Sequence, residues 1–97
     1  HMKDCKKEHI IIRAHEHYIF KLIDTKPLHL SYKVVKPFGE SEDGKYAEFS
    51  VDVELIIEFI GRVLQMGSGV EVMSPLEVRE VFTERVKNLA SLYLLPR

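Results

Sequence analysis

Three histidines near the N-terminus, His9, His15 and His17, are the residues most suggestive of chemistry in this 97-residue chain. Histidine is a common zinc ligand, and a zinc-binding helix carries two histidines four residues apart. His15 and His17 are only two residues apart, so their side chains would diverge on a helix. The spacing therefore predicts solvent-exposed histidines at the start of a helix and no metal site.

Cys5 and Ser31 are the candidate nucleophiles. Nucleophilic catalysis needs an adjacent base and a group that orients this base. Cys5 lies in a charged N-terminal segment, and Ser31 has no such partner in a sequence motif, so we predict no catalytic residue, no cofactor and no enzymatic activity. Because Cys5 is the only cysteine, an internal disulfide and a multi-cysteine zinc site are excluded, which favours a reducing, cytoplasmic location.

Five polar residues are candidates for ligand binding: Arg13, His29, Ser31, Lys33 and Arg79. Arg13 would share the uncovered face of a sheet with Ser31 or Lys33, where a guanidinium group favours an anion. His29 precedes a predicted strand, where it either bonds a backbone carbonyl or contacts a ligand.

Arg79 lies in the first turn of a predicted helix, where the helix dipole disfavours a cation. Another interaction must therefore hold it there. We expect either an ion pair with Glu71 or another carboxylate of the sheet, or a contact with a ligand or partner.

The segment from Gly44 to Val51 superficially resembles the third strand of an RNA-recognition motif, which stacks bases on outward-facing aromatic side chains. Tyr46 would lie on that outward face, but Glu48 takes the next outward position and would repel a phosphate chain. An ordinary hairpin strand is the favoured interpretation.

The charge balance is close to neutral, with 14 lysines and arginines against 15 aspartates and glutamates. Binding to a nucleic-acid backbone depends on a basic excess, which this chain lacks, so we predict no direct binding of duplex DNA. No apolar run is long enough to cross a membrane and no signal-peptide pattern is present, so no membrane contact is expected.

Apolar residues make up 45% of the chain and charged residues 30%, which in 97 residues predicts one folded domain with one core. We interpret His1-Met2 as a remnant of an expression tag, residues 1–8 as this remnant with a disordered segment, and residues 9–97 as the domain. An engineered start would fit a domain cut from a larger protein.

The first half of the chain predicts a strand, a helix and a hairpin. The apolar run from His9 to Ala14 indicates a strand buried on both faces, at the centre of a sheet. A helix follows over 15–25, with an apolar stripe of Tyr18, Ile19, Leu22 and Ile23. Strands over 31–36 and 45–51 flank the Asp43-Gly44 turn signal.

The clearest helix in the sequence is predicted over 53–66, with Asp52 as its N-cap and Gly67 as a left-handed C-cap. Its apolar face consists of Leu55, Ile56, Phe59, Ile60, Val63 and Leu64. A short strand over 70–73 follows it.

The last helix is predicted from a Ser74 N-cap, Pro75 at the first helical position and Glu77 at the capping-box position, and it should reach roughly Leu94. Its apolar face consists of Val78, Phe82, Val86, Leu89 and Tyr93.

The resulting order, β-α-β-β-α-β-α, predicts an α+β domain. Its first six elements form the split β-α-β arrangement of a ferredoxin-like fold, an antiparallel sheet with two helices on one face, and the seventh is an additional C-terminal helix. Two right-handed crossovers place the first and third strands in the centre of this sheet.

Two short motifs resemble the C-terminal extension (WCX) that follows the WYL domain in bacterial transcription regulators. In the segment 27–32, Pro27, Leu28, His29 and Ser31 match the family pattern, while Tyr32 replaces a glutamine. In the segment 69–79, a valine stands for the usual leucine at position 78. The matching residues there are Gly69, Val70, Glu71, Val72, Pro75 and Arg79.

The resemblance implies a regulator that binds DNA through an N-terminal domain and senses a small-molecule or nucleotide effector. This chain would be its C-terminal regulatory domain, used for dimerisation or signal relay, with an upstream WYL domain as its partner. Two alternatives stay open. One is a free-standing ferredoxin-like module that binds a small molecule and pairs two copies through an edge strand, and the other is an RNA-recognition-like binder of single strands.

The C-terminal end carries more apolar side chains than one helix face needs, among them Leu92, Tyr93, Leu94 and Leu95. A domain of this size has difficulty covering all of them. They therefore predict a homodimer interface, or they close the core of the monomer or meet the WYL domain.

Overall fold

The computed structural model describes residues 6–96, and its strands form a four-stranded antiparallel sheet in the order β2-β3-β1-β4. The strands are β1 (Lys7–Ala14), β2 (Lys33–Lys36), β3 (Ala47–Glu54) and β4 (Val70–Ser74), and the helices are α1 (His17–Thr25), α2 (Ile57–Leu64) and α3 (Leu76–Leu94). The predicted α+β class, the ferredoxin-like order and the additional C-terminal helix are confirmed, as are the central positions of the first and third strands.

One face of β1 and β3 forms the centre of the core. Ile10, Ile12 and Ala14 alternate along β1 and lie opposite Val51, Phe49 and Ala47 of β3, and all six side chains are buried. The prediction that β1 is buried on both faces is wrong. Ile11 and Arg13, which point the other way, are only half-buried, because the buried core lies on one face of the sheet and leaves the opposite face open.

Helix α1 buries a different stripe from the predicted one. Ile23 is buried, and Ile19 and Phe20 pack partly against the core, whereas Tyr18 and Leu22 are exposed. The helix begins at His17, two residues later than predicted. The sequence spacing was compatible with several neighbouring stripes, and contact with the sheet selected this one.

Helix α2 begins at Ile57, so the prediction of Asp52 as its N-cap is wrong. Asp52 lies within β3, opposite His9 of β1, because pairing with β1 extends β3 to Glu54. Of the predicted apolar face, Phe59, Ile60 and Val63 are buried, whereas Ile56 is exposed. Leu55 and Leu64 pack partly against the core. Gly67 has a φ of 56°, the left-handed conformation expected after this helix, and it opens a short 3-10 turn, Gly67–Gly69, that leads into β4.

Helix α3 extends to Leu94, in agreement with the prediction, but its start differs. Ser74 belongs to β4, Pro75 takes the N-cap position after a cis peptide bond, and no side chain caps the helix. The predicted capping box is therefore wrong. Pairing of Ser74 with Ile11 in the sheet explains the difference, since a residue held in a strand is not available as a cap.

The prediction that the disordered N-terminal segment extends to residue 8 is wrong for its last two residues. Lys7 and Glu8 belong to β1 and lie opposite Glu54 and Val53 of β3. Residues 1–5, including the proposed tag remnant and Cys5, lie outside the described residues. Among residues 6–96, no helix is long and apolar enough to cross a membrane.

Candidate ligand-binding sites

The open face of the sheet holds the first polar cluster, around Arg13. The Nε of Arg13 donates to Oε2 of Glu48 at 2.9 Å, and its guanidinium carbon lies 3.8 Å from the centre of the Tyr46 ring. Burial opposes the charge of Arg13, but the hydrogen bond and the attraction to Glu48 outweigh this cost and raise the pKa of the guanidinium. Arg13 therefore already has a carboxylate partner on this face.

The lysine beside this cluster is Lys36. Its Nζ lies 5.8 Å from the Tyr46 ring, and Lys36 is opposite Glu48 in the sheet. Lys33, the predicted neighbour of Arg13, is opposite Ser50 instead. Because Arg13 covers one face of Tyr46, that ring face is not available as a stacking platform for a base.

A second cluster joins the turn before β2 to β3 through Ser31. Its hydroxyl oxygen accepts a hydrogen bond from the Asp52 backbone N–H at 2.7 Å and lies 2.8 Å from Nδ1 of His29. The same Nδ1 accepts the Ser31 backbone N–H at 3.1 Å, so His29 does not bond a backbone carbonyl through this nitrogen. His29 and Ser31, both predicted site residues, thus form one unit.

Asp52 and His9, which the sequence did not connect, complete this second cluster. Oδ1 of Asp52 lies 2.6 Å from Nδ1 of His9 across β3 and β1.

The Tyr32 hydroxyl donates a hydrogen bond to Oδ1 of Asp24 at 2.9 Å, and burial together with this bond raises the pKa of Tyr32. Tyr32, which replaces the glutamine of the family pattern, thereby ties the start of β2 to α1.

The third cluster centres on Glu71. Its two carboxylate oxygens lie 2.8 Å from Nε2 of His15 and 2.6 Å from Nη1 of Arg79, which confirms the predicted ion pair between Arg79 and Glu71. Hydrogen bonds from Arg79 and His15 lower the pKa of Glu71, although desolvation acts in the opposite direction. His15 was not predicted as a partner, because it is 56 residues away from Glu71 in the chain.

Arg79 also lies at a cleft between α2, β4 and α3. Its Nη1 donates to the carbonyl oxygen of Val72 in β4 at 2.8 Å. The cleft, which we name the α3 cleft, has a volume of about 260 Å³. Its apolar lining comes from Val63, Leu64, Val70, Val72, Phe82 and Val86.

His9, His15 and His17 each contact a different residue. His9 lies beside Asp52, His15 beside Glu71, and the His17 ring packs against Phe38 with centroids 5.1 Å apart. Within residues 6–96, no three histidine, cysteine, aspartate or glutamate side chains come together in a way that could hold a metal ion.

The five predicted site residues do not form one site. His29 and Ser31 are in contact, Arg13 is bound to Glu48, Arg79 is bound to Glu71, and Lys33 is exposed on the edge strand β2. The partners that sequence reasoning missed, Tyr46, Glu48 and Lys36, follow from the strand register. Arg13 and Glu48 both occupy outward positions, but only the register of β1 against β3 places them opposite each other.

Comparison with known proteins yields one family. No curated protein matches this chain. The model of the WCX domain matches residues 9–90, which include both sequence motifs and all four strands except the first two residues of β1. This match, over most of the chain, supports a regulatory role in general, and the chain belongs to the WCX domain family.

Proposed function

We propose that this WCX domain is a non-enzymatic regulatory domain of a WYL-type bacterial transcription regulator. In this role it takes part in the response to a small-molecule or nucleotide effector and in dimerisation. Contact with duplex DNA falls to another domain of the regulator, because this chain has no net excess of basic residues.

The observation that carries this proposal is the uncovered apolar surface at the end of α3. The side chains of Leu92, Tyr93 and Leu94 are 56%, 81% and 81% exposed, and Leu89 and Leu95 are also exposed. Only Val78 and Phe82 of this helix are buried in the core. Contiguous exposed apolar side chains of this kind are typical of an interaction surface.

We assign this surface to a second copy of the chain. Bacterial regulators commonly bind paired half-sites as dimers, and a two-fold interface brings the same patch of both subunits together. Two helix ends of equal apolar character satisfy that requirement, because each covers the leucines of the other. An upstream WYL domain is the competing occupant of the same surface.

Sedimentation equilibrium on the 97-residue chain tests the dimer. We expect self-association at about 100 μM, a weak-association range, and a monomer for the double variant Leu92→Asp, Leu95→Asp. The matched control is Leu22→Asp, Leu76→Asp, which changes two exposed leucines elsewhere on the surface and should leave association unchanged. A wild-type chain that stays monomeric at this concentration would overturn the proposed dimer of this chain.

A mobility-shift assay tests the assignment of DNA binding to another domain. At roughly physiological salt we expect no sequence-dependent shift by the isolated chain. Sequence-dependent binding below about 1 μM, the range of specific readers, would overturn this part of the proposal.

A further inference from the structure

The α3 cleft combines an apolar floor with room for a small ligand. Val63, Val72 and Phe82 on its lining are buried residues of the core, whereas Val86 at its rim is half exposed. Its volume of about 260 Å³ exceeds the roughly 150 Å³ of an apolar cavity known to hold benzene. One ring or a short hydrocarbon chain would therefore fit in it.

The cationic side of the cleft has unused hydrogen-bond donors. Nη1 of Arg79 is occupied by Glu71 and the Val72 carbonyl, which fixes the position of the guanidinium. Its Nε and Nη2 donate to no protein acceptor in the part of the chain that the structure describes. These two N–H groups point in parallel, which is the arrangement that binds a carboxylate through both of its oxygens.

A second cation, Lys87, lines the same cleft. It lies eight residues after Arg79, about 2.2 helical turns and about 12 Å along α3, and both residues line the cleft. Across residues 6–96, no carboxylate lies within ion-pair distance of Lys87. Glu71, the acidic group of the lining, is paired with Arg79, so Lys87 leaves the lining with an excess of positive charge.

We propose that the α3 cleft binds a small carboxylic acid with an apolar body, which places its hydrocarbon part against Val72 and Phe82 and its carboxylate on Arg79 and Lys87. As an effector site this inference rests on the function proposed above, and it names the chemical class of that effector. Because α3 carries both the cleft and the exposed leucines, ligand occupancy would act on the helix that forms the proposed dimer.

Titration of the ¹⁵N-labelled chain, followed by two-dimensional NMR, tests the site directly. The probes are sodium benzoate and sodium hexanoate, with benzamide as the uncharged counterpart of benzoate and inorganic phosphate as a purely polar anion. We expect saturable shifts at the amides that line the cleft, with a Kd of about 1 mM for ligands of this size. Benzamide and phosphate should each bind at least about ten-fold more weakly.

Variants locate the binding. Arg79→Lys removes the paired donors and should weaken benzoate binding about ten-fold, and Lys87→Gln about three-fold. Arg85→Gln, the matched control, removes a cation from an exposed position of α3 outside the cleft and should change nothing. Val86→Phe fills the cleft from its exposed rim, leaves the core intact and should abolish saturable binding. If Arg79→Lys does not fold, Val86→Phe still tests whether the acids bind in the α3 cleft.

Three results would each overturn the proposal: no saturable shift with either acid at about 10 mM, equal affinity for benzamide or phosphate, or unchanged binding by Val86→Phe. The titrations are repeated on the Leu92→Asp, Leu95→Asp variant. A chain that binds benzoate but never dimerises refutes only the dimerisation proposed above. A dimer that binds neither acid refutes only the ligand site.

Discussion

The two halves of α3 differ sharply, although both carry apolar residues at helical spacing. In the first half, Val78 and Phe82 are buried and Arg79 is bonded to β4. In the second half, residues 84–94, no side chain is buried. The 19 residues of α3 span about 28 Å and the five residues of β4 only about 17 Å, so the second half extends past its strand. Apolar residues at helical spacing therefore predict that one face of a helix packs against something. The neighbouring elements determine whether the sheet of the same domain or another surface is that partner.

Among the variants that test the difference between the two halves of α3, Phe82→Ala should cause the largest loss of stability. Removing a buried aromatic side chain from a closely packed core leaves a cavity, and we expect a loss of about 3–4 kcal/mol in the free energy of unfolding. Urea denaturation at about 5 μM protein measures it without contributions from self-association. A loss below about 1 kcal/mol would mean that the first half of α3 is not part of the core.

An intermediate loss of stability is expected from Glu71→Gln. This change removes the carboxylate charge on β4 that interacts with Arg79 and His15. The pKa of Glu71 is lowered from its ordinary value of 4.5 in the folded protein. The stabilisation is therefore present above about pH 4.5 and is lost as the pH falls through the folded pKa. Because the side chains of Arg79 and Glu71 are 41% and 35% exposed, solvent screening limits the loss at pH 7 to about 1 kcal/mol.

The measurement for this variant is the free energy of unfolding of both proteins between pH 2 and 7. We expect the curve of Glu71→Gln to lie below that of the wild type at pH 7 and to meet it at the acid end, where Glu71 is protonated in both states. A separation that stays constant down to the acid end would show that the loss comes from packing and not from the charge.

The smallest effect is expected from Leu92→Ala. The side chain is 56% exposed, and alanine favours the helix at least as well as leucine, so the stability of the monomer should change by less than about 0.5 kcal/mol. The same variant should weaken the proposed dimer in sedimentation experiments. If Leu92→Ala destabilised the monomer as much as Phe82→Ala, the contrast between the two halves of α3 would disappear.

The sequence predicted the structure correctly where the interacting residues are close together in the chain. The predicted outward position of Glu48 leaves Ala47, Phe49 and Val51 on the core face of β3, where they are buried, and Gly67 has the left-handed conformation expected of it. The Arg79–Glu71 ion pair spans only eight residues. It was predicted because a cation in the first turn of a helix needs a partner.

The failed predictions involve residues whose partners are far away in the chain. Asp52 and Ser74 both have the side-chain chemistry of helix N-caps. Asp52 is instead held in β3 opposite His9, 43 residues earlier, and Ser74 is held in β4 opposite Ile11. Strand pairing of this kind involves the backbone of both strands, so a cap preference of about 1 kcal/mol does not overcome it.

The sequence by itself therefore determined the element order, the ferredoxin-like class and the core-facing side of β3, because period and turn signals are local properties. Tertiary structure alone decided the ends of β3 and β4, the pairing of Arg13 with Glu48 and of His15 with Glu71, and the cleft beside Arg79. These features arise where distant segments meet. Their contact geometry depends on register and packing, which no single stretch of sequence encodes.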